Sequence, residues 1–333
     1  MKILVTGGMG YIGSLLVENL LKRNNIVYIV DLMIYENKLN LNNKNLILIK
    51  EDIRYVDWDE ILGNGVEVVY HLAGVSNDPG NGVDREEGFS INYDATINLY
   101  EKCIKNGVEK FVYPSSCSVY GKSKCISEEN DIILDEQSPI NPLTDYAIAK
   151  SKVEKYILNK KYSKEICTII FRPATVYGLS YRQRFDLIVN SMVAEVINNG
   201  CISVSDKTNI RPTVYIKDLI RAYLLLLDAD KEIVNGQVFN IAYDNYIIED
   251  ICKNVFKVVG HSVPINSNNI SKSRSYRVNS DKIRKFLGFN PKYSMEDGVK
   301  ELVDAFNKGA FKDYKINDNY FNKVCQPKFF GIK

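Results

Sequence analysis

A chain of 333 residues exceeds the length at which one hydrophobic core usually stops growing, so a large domain with a smaller one is the expected organisation. Its 45% hydrophobic and 25% charged residues exclude a disordered or fibrous chain, and a net charge of +2 gives no electrostatic case for nucleic acid or an anionic membrane. Seven cysteines in odd number, without a CxxC pair, argue against a disulfide framework or a zinc site and for a reduced cytoplasmic setting with no metal.

The chain opens on "KILV", a short apolar run of the buried-strand kind, and enters "TGGMGYIG" at once. This turn comes too early for a signal peptide, and the apolar run at "AYLLLL" is too short to span a bilayer. Gly7, Gly10 and Gly13 recur every third residue, and "SLLVENLLKR" then repeats apolar residues with helical spacing. A strand that turns sharply into a helix needs glycine where backbone approaches a phosphate, and the exposed N–H groups of the helix start attract a pyrophosphate. The flanking strand and helix turn a weak glycine triplet into a dinucleotide fingerprint. The next strand, "NIVYIVD", ends at Asp31, where a carboxylate binds the adenosine ribose 2′-hydroxyl and repels a 2′-phosphate. NAD is therefore expected rather than NADP.

Strands at "NLILIKEDI", "VEVVYHLAG", "KFVYPSS" and "CTIIFRP" alternate with helices at "INYDATINLYEKCIKNG" and "AIAKSKVEKYILNKKY". That alternation predicts an α/β fold with a doubly wound parallel sheet of the Rossmann type. Ligands on such sheets lie beyond the C-terminal strand ends, here Asp52 and Ile53, then Leu72, Ala73 and Gly74, then the turn "PSSCSVYG". His71 precedes its turn inside an apolar run and reads as a hydrogen-bonded core residue. Within "DYAIAK", Tyr146 and Lys150 are helix-surface neighbours at i and i+4. In a chain with 22 tyrosines this spacing alone fits a solvated helix face as well as a catalytic pair.

Taken together and in order, "TGGMGYIG", "HLAG", "SSCSVYG", "YAIAK" and "RPATVYG" resemble the extended short-chain dehydrogenase/reductases, the sugar-nucleotide epimerase and dehydratase family. The similarity runs from residue 1 to about 306. The resemblance implies that Tyr146 is the catalytic base, that Lys150 is its partner and a cofactor-ribose ligand, and that Ser116 orients the substrate. It places Tyr11, Ile12, Asn92, Ser115 and Pro173 with the glycines at NAD. It places Ser118, Thr175, Asn190, Arg211 and Arg274 at a nucleotide-diphosphate sugar, with Arg211 as the pyrophosphate arginine. A phenol titrates near pH 10 in water, so it becomes a useful base only beside positive charge, which Lys150 and the cationic nicotinamide supply. Arg182 and Arg184 read equally well as surface charge.

The resemblance divides the chain into an NAD-binding domain over 1–175, with returning segments at about 213–243, and a nucleotide-sugar domain over 176–212 and 244–333. It also implies a homodimer built on helices at about 92–105 and 146–160, the second offering Val153, Tyr156 and Ile157 to a shared face. In the 4,6-dehydratases the serine-like residue is followed by Asp and Glu, and in decarboxylases the position of Ser118 holds Glu. This chain has Cys117 and Ser118, which disfavours both reactions, and Cys117 reads as a packing residue. Many 4-epimerases have asparagine at the position of Thr175. The form found here, with "RFDLIVN" after it, is similar to a subgroup that includes a GDP-heptose 4-dehydrogenase. Inversion at C4, net oxidation to a 4-keto sugar, and a non-catalytic NAD-binding regulator are the three readings. The aromatic tail after Phe311 lies outside the resemblance and is expected to pack against the body or a second subunit.

Overall fold

The computed structural model describes residues 1–76, 84–121, 132–160, 166–267 and 275–322. Among these, seven parallel strands form the central sheet: β1 Lys2–Thr6, β2 Ile26–Asp31, β3 Leu46–Lys50, β4 Val68–His71, β5 Lys110–Pro114, β6 Cys167–Pro173 and β7 Gln237–Ile241. Their order is β3-β2-β1-β4-β5-β6-β7. β1 is paired on both edges, with Val5 facing Ile29 on one side and Tyr70 on the other. A strand enclosed in this way needs apolar side chains on both faces, which is why "ILV" runs without alternation.

The two-residue period sorts those side chains into two cores. Ile3, Val5, Val27 and Ile29 pack with Leu16, Val17 and Leu20 of α1, Tyr11–Lys22. Leu4, Val30, Val69 and Phe111 pack on the opposite face with Leu99 and Tyr100 of α2, Ala95–Lys105, and with Val153 and Ile157 of α3, Asp145–Asn159. Burial of each such side chain contributes ~1.5–3 kcal/mol. Val153 and Ile157 are thus committed to this chain's own core, not to a shared face as expected from their spacing. Tyr156 also faces inward, donating its hydroxyl to Glu101 Oε1 on α2 at 2.7 Å.

From β1 the chain winds one way to β2 and β3 and the other way from β4 to β7, so the loops after β1 and β4 part and leave a crevice. The crevice is held open by side chains at the strand ends. Thr6 Oγ1 pairs with His71 Nδ1 at 2.8 Å and accepts the Ala73 N–H at 3.2 Å, while His71 Nε2 meets Thr96 Oγ1 at 2.8 Å. Burial pushes the His71 imidazole down to about 3, so it stays neutral and structural.

The second layer closes over the crevice. A small sheet joins Thr175–Tyr177 in parallel to Ile210–Tyr215, which pairs antiparallel with Asp244–Ile247. The returning stretch is therefore split: β7 enters the main sheet beside β6, whereas Thr213–Tyr215, expected there too, belongs to the small sheet. The helix that follows, α5 at Ile216–Asp228 after α4 at Ile188–Asn199, packs against α1. The described part of the tail packs on this layer: Phe185 sits in a cluster with Phe311 and Tyr314, its ring centre 5.0 Å and 5.2 Å from theirs. No helix among the described residues is long and apolar enough to cross a membrane, and none of their His, Cys, Asp and Glu side chains form a group of three suited to a metal.

Candidate active site

The crevice is a cleft of about 570 Å³ lined from one end by the glycine turn and from the other by the start of α3. Gly7 has φ +69°, and a Cβ there would meet the Ala73 backbone nitrogen at 2.6 Å. At Gly13 a Cβ would lie 2.1 Å from Gly7 O, so only glycine lets the first turn of α1 close against β1. Gly10 stands at the N-terminus of α1 without a side-chain cap, which leaves the helix's first amides directed at the cleft beside Tyr11 and Ile12. This is the cradle a pyrophosphate requires.

Asp31 closes β2 at the side of that cradle. Its carboxylate accepts the Met9 N–H at 2.9 Å and the Met33 N–H at 2.8 Å, which aims it into the cleft. Burial raises its pKa against those two bonds. Asp52 and Ile53 line the next stretch, where Asp52 is held in a 2.5 Å ion pair with Arg54. Leu72, Ala73 and Gly74 form the floor, and Ser115 and Pro173 form part of the far wall. The Ser115 hydroxyl is buried without a hydrogen-bond partner. Asn92 does not line the cleft: it holds the loop from behind, accepting from Val75 N at 2.9 Å and donating to Val75 O at 3.0 Å. It is placed there by a π-helical turn, Ser90–Asp94, ahead of α2.

At the other end, Tyr146, Lys150 and Ser116 converge. Thr144 caps α3, accepting the Ala147 N–H at 3.2 Å, so the helix begins at the cleft and presents Tyr146 in its first turn. Lys150 is one turn deeper and 7% exposed. Its ammonium donates to Pro114 O at 2.8 Å and lies 5.7 Å from the centre of the Tyr146 ring and 4.6 Å from that of Tyr113. Burial brings the Lys150 pKa down to about 7, with Glu154 opposing the shift. Ser116 follows β5 in an extended conformation and accepts the Ser118 N–H at 3.1 Å. The Tyr–Lys spacing that chance could produce thus belongs to a walled cleft and not to a solvated helix face.

The profile of the "NAD dependent epimerase/dehydratase family" matches residues 3–242. The chain belongs to this family. Its cofactor is NAD, and the glycine cradle with Asp31 beside it fits that dinucleotide. A protein of Methanocaldococcus jannaschii provisionally named a UDP-glucose 4-epimerase is 33% identical over 313 residues, covering 91% of this chain and 97% of its own. A UDP-N-acetyl-alpha-D-glucosaminuronate decarboxylase of Bacillus cytotoxicus is 27% identical over 322 residues, covering 92% and 98%. Among solved structures, a UDP-glucuronic acid 4-epimerase from Bacillus cereus, in complex with UDP-glucuronic acid and NAD, superposes with a TM-score of 0.81 at 28% identity, covering 92% of this chain and 99% of its own.

Within this family member the expected substrate residues divide. Ser118, Thr175 and Arg211 line the cleft together with Ser116. Asn190 does not: fully buried on α4, it accepts the Gly178 N–H at 2.9 Å and donates to Arg184 O at 2.9 Å and to Tyr11 OH at 3.1 Å. It splints the segment at 178–184 to the start of α1. Arg274 lies outside the described residues. Cys117 packs as expected, buried with its Sγ donating to Arg172 O at 3.1 Å, and burial pushes its thiol well up.

Arg182 and Arg184, left open between a site role and surface charge, are buried in the cleft wall. Arg184 pairs with Asp186 at 2.6 Å and donates to Ser76 Oγ at 3.2 Å. Arg182 lies with its guanidinium centre 3.9 Å from the centre of the Tyr35 ring. The one signal in the sequence was two arginines separated by a single residue soon after a strand end, and nothing local distinguishes that from an exposed turn.

Proposed function

We propose that the protein is a nucleotide-sugar 4-epimerase that oxidises the C4 hydroxyl of a nucleotide-diphosphate sugar and then reduces the ketone from its opposite face. The convergence of Tyr146, Lys150 and Ser116 in the same cleft as the dinucleotide cradle carries this reading. NAD, when bound, supplies the hydride acceptor and donor. Tyr146 takes the proton of the C4 hydroxyl as general base, and Lys150, held by Pro114 O, provides the charge that favours the phenolate. Ser116 directs a hydrogen bond at the same oxygen. Arg211 is assigned to the substrate pyrophosphate, which its planar fork suits.

Among the described residues, the acidic side chains lining the cleft, Asp31, Glu51, Asp52 and Asp186, are contributed by elements other than the Ser116 turn and α3, and Cys117 is turned away into the core. Elimination across C5–C6 or loss of a carboxylate needs an acid or base next to the Ser116 turn, so the arrangement favours epimerisation over dehydration and decarboxylation. The named relatives act on UDP-sugars, which makes that class the first to test. Purified protein incubated with a panel of UDP- and GDP-sugars should convert one of them into its C4 epimer, identified by product NMR, with no net reduced nicotinamide. Accumulation of a 4-keto sugar with stoichiometric reduced cofactor would instead make it a net 4-dehydrogenase, the reading suggested by Thr175. Loss of water or carbon dioxide from the sugar would sink both.

A further inference from the structure

Arg182 is 2% exposed, yet among the described residues no carboxylate lies within ion-pair distance of it. Its Nη2 donates to Asn322 Oδ1 at 2.9 Å and to Phe321 O at 3.5 Å, and its Nε has no hydrogen-bond partner. A buried guanidinium that lines a cleft with no carboxylate in contact and a donor left over points to an anion that joins it. Burial and the neighbouring Arg184 push its pKa down to about 10, against the opposing pull of Tyr35, Asp186 and Asp31. Its place in the fold says which anion. The segment carrying Arg182 is docked on the start of α1, with Tyr11 OH donating to Gly178 O at 2.7 Å and Ser180 Oγ to Tyr11 O at 2.6 Å. Arg182 lines the same cleft as Gly10, Ile12 and Asp31 and lies near enough to Asp31 for the two charges to act on each other.

We propose that Arg182 clamps the pyrophosphate of NAD from the side opposite the glycine turn, and that the C-terminal segment ending at Asn322 holds the clamp in position. The glycine turn and helix start supply N–H groups to one side of a diphosphate, and the guanidinium fork supplies them to the other. Asn322 ties the clamp across the cleft mouth: its Nδ2 donates to Ser76 O and Ser76 Oγ, both at 3.1 Å, while its Oδ1 receives Arg182. The tail is anchored two residues earlier, where Tyr320 O accepts the Phe185 N–H at 2.8 Å. This segment lies beyond residue 242, where the family profile ends, so the tail adds to the cofactor site a part the profile does not contain.

The inference rests on NAD as cofactor and is independent of the sugar chemistry, so binding tests it apart from turnover. Full-length protein stripped of dinucleotide is titrated calorimetrically with NAD, ADP, adenosine and UDP. Arg182→Gln should weaken NAD and ADP by about ten- to a hundredfold, leaving adenosine and UDP unchanged. Arg182→Lys should recover part of the loss, and Asn322→Ala should show the same ranking at smaller size. Melting curves confirm that each variant is folded, and if Arg182→Gln is not, the lysine and Asn322 variants carry the test. Unchanged ADP affinity in these variants, an equal loss for adenosine, or a loss confined to UDP would overturn the proposal, the last by assigning Arg182 to the sugar nucleotide.

Discussion

In the proposed mechanism Tyr146 and Lys150 do different jobs from one helix face, and their substitutions should separate them. Tyr146→Phe keeps the ring and its packing but removes the proton acceptor, so turnover should fall by about 10²–10⁴-fold with NAD affinity and melting temperature retained. Ser116→Ala should cost less, because the acceptor remains. Near-normal single-turnover reduction of nicotinamide by folded Tyr146→Phe protein would remove the mechanism. Lys150 also makes a prediction about pH. Its folded pKa, about 7, lies below the ordinary value of 10.5, so between those limits the unfolded chain binds a proton that the folded chain lacks. Stability contributed by this group therefore rises with pH across that window, by at most about 1.4 kcal/mol per pH unit. Denaturant titrations of the NAD-stripped protein at stepped pH should show that rise, and the Lys150→Met variant should be flatter over the same range.

At the scale of elements, the unit β1–turn–α1 is defined by contacts that exclude a methyl group. Because a Cβ at Gly13 would stand 2.1 Å from Gly7 O, Gly13→Ala must push the helix start off the strand. Stability should fall by about 1–3 kcal/mol and NAD should bind at least about tenfold more weakly. Calorimetry and thermal melts of the variant check both, and native NAD affinity would show that the turn absorbs the methyl group. The neighbouring unit, β2 and its terminal Asp31, sets cofactor choice: NAD should bind at least about tenfold tighter than NADP, equivalent to ~1.4 kcal/mol. Asp31→Asn should narrow that ratio, since it removes the charge that repels a 2′-phosphate and leaves Arg182 nearby to attract one.

At the scale of the whole molecule, α2 and α3 lie side by side over one face of the sheet, locked by Tyr156 and by the ion pair of Lys160 with Glu101. Their inward stripe is already used, so a second copy must meet the outer surfaces, where half-buried Ile97 and Ile148 stand among exposed Asn98, Lys152 and Lys155. We expect a homodimer through these helices. Light scattering at micromolar concentration should give twice the 38.0 kDa chain mass, and Ile97→Arg should halve it. A monomer mass for the native chain would refute the assembly.

The sequence by itself determined the parallel sheet, the glycine turn and Asp31 at a strand end, because each is written in local terms: apolar runs for doubly covered strands and glycines where backbone closes on backbone. The spacing of Tyr146 and Lys150 is open between a solvated face and a site, and only the resemblance carried by five motifs in order implies the second. The same resemblance implies Ser116, Ser118, Thr175 and Arg211 at the substrate, and all four line the cleft, where they follow strand ends or lie at the start of strands. Tertiary structure alone decided what depends on which face is covered. Val153 and Ile157 have the spacing of an interface but spend it on their own core. Asn92 and Asn190 stand near the ligand in sequence motifs yet turn their amides to backbone, at Val75 and Gly178. Arg182 and Arg184 are charges in a loop, and a charge in a loop is solvated unless distant segments enclose it. Here Tyr35 and Asn322, contacts of Arg182 from 147 positions before it to 140 after it, do so, and no local pattern records an enclosure of that range.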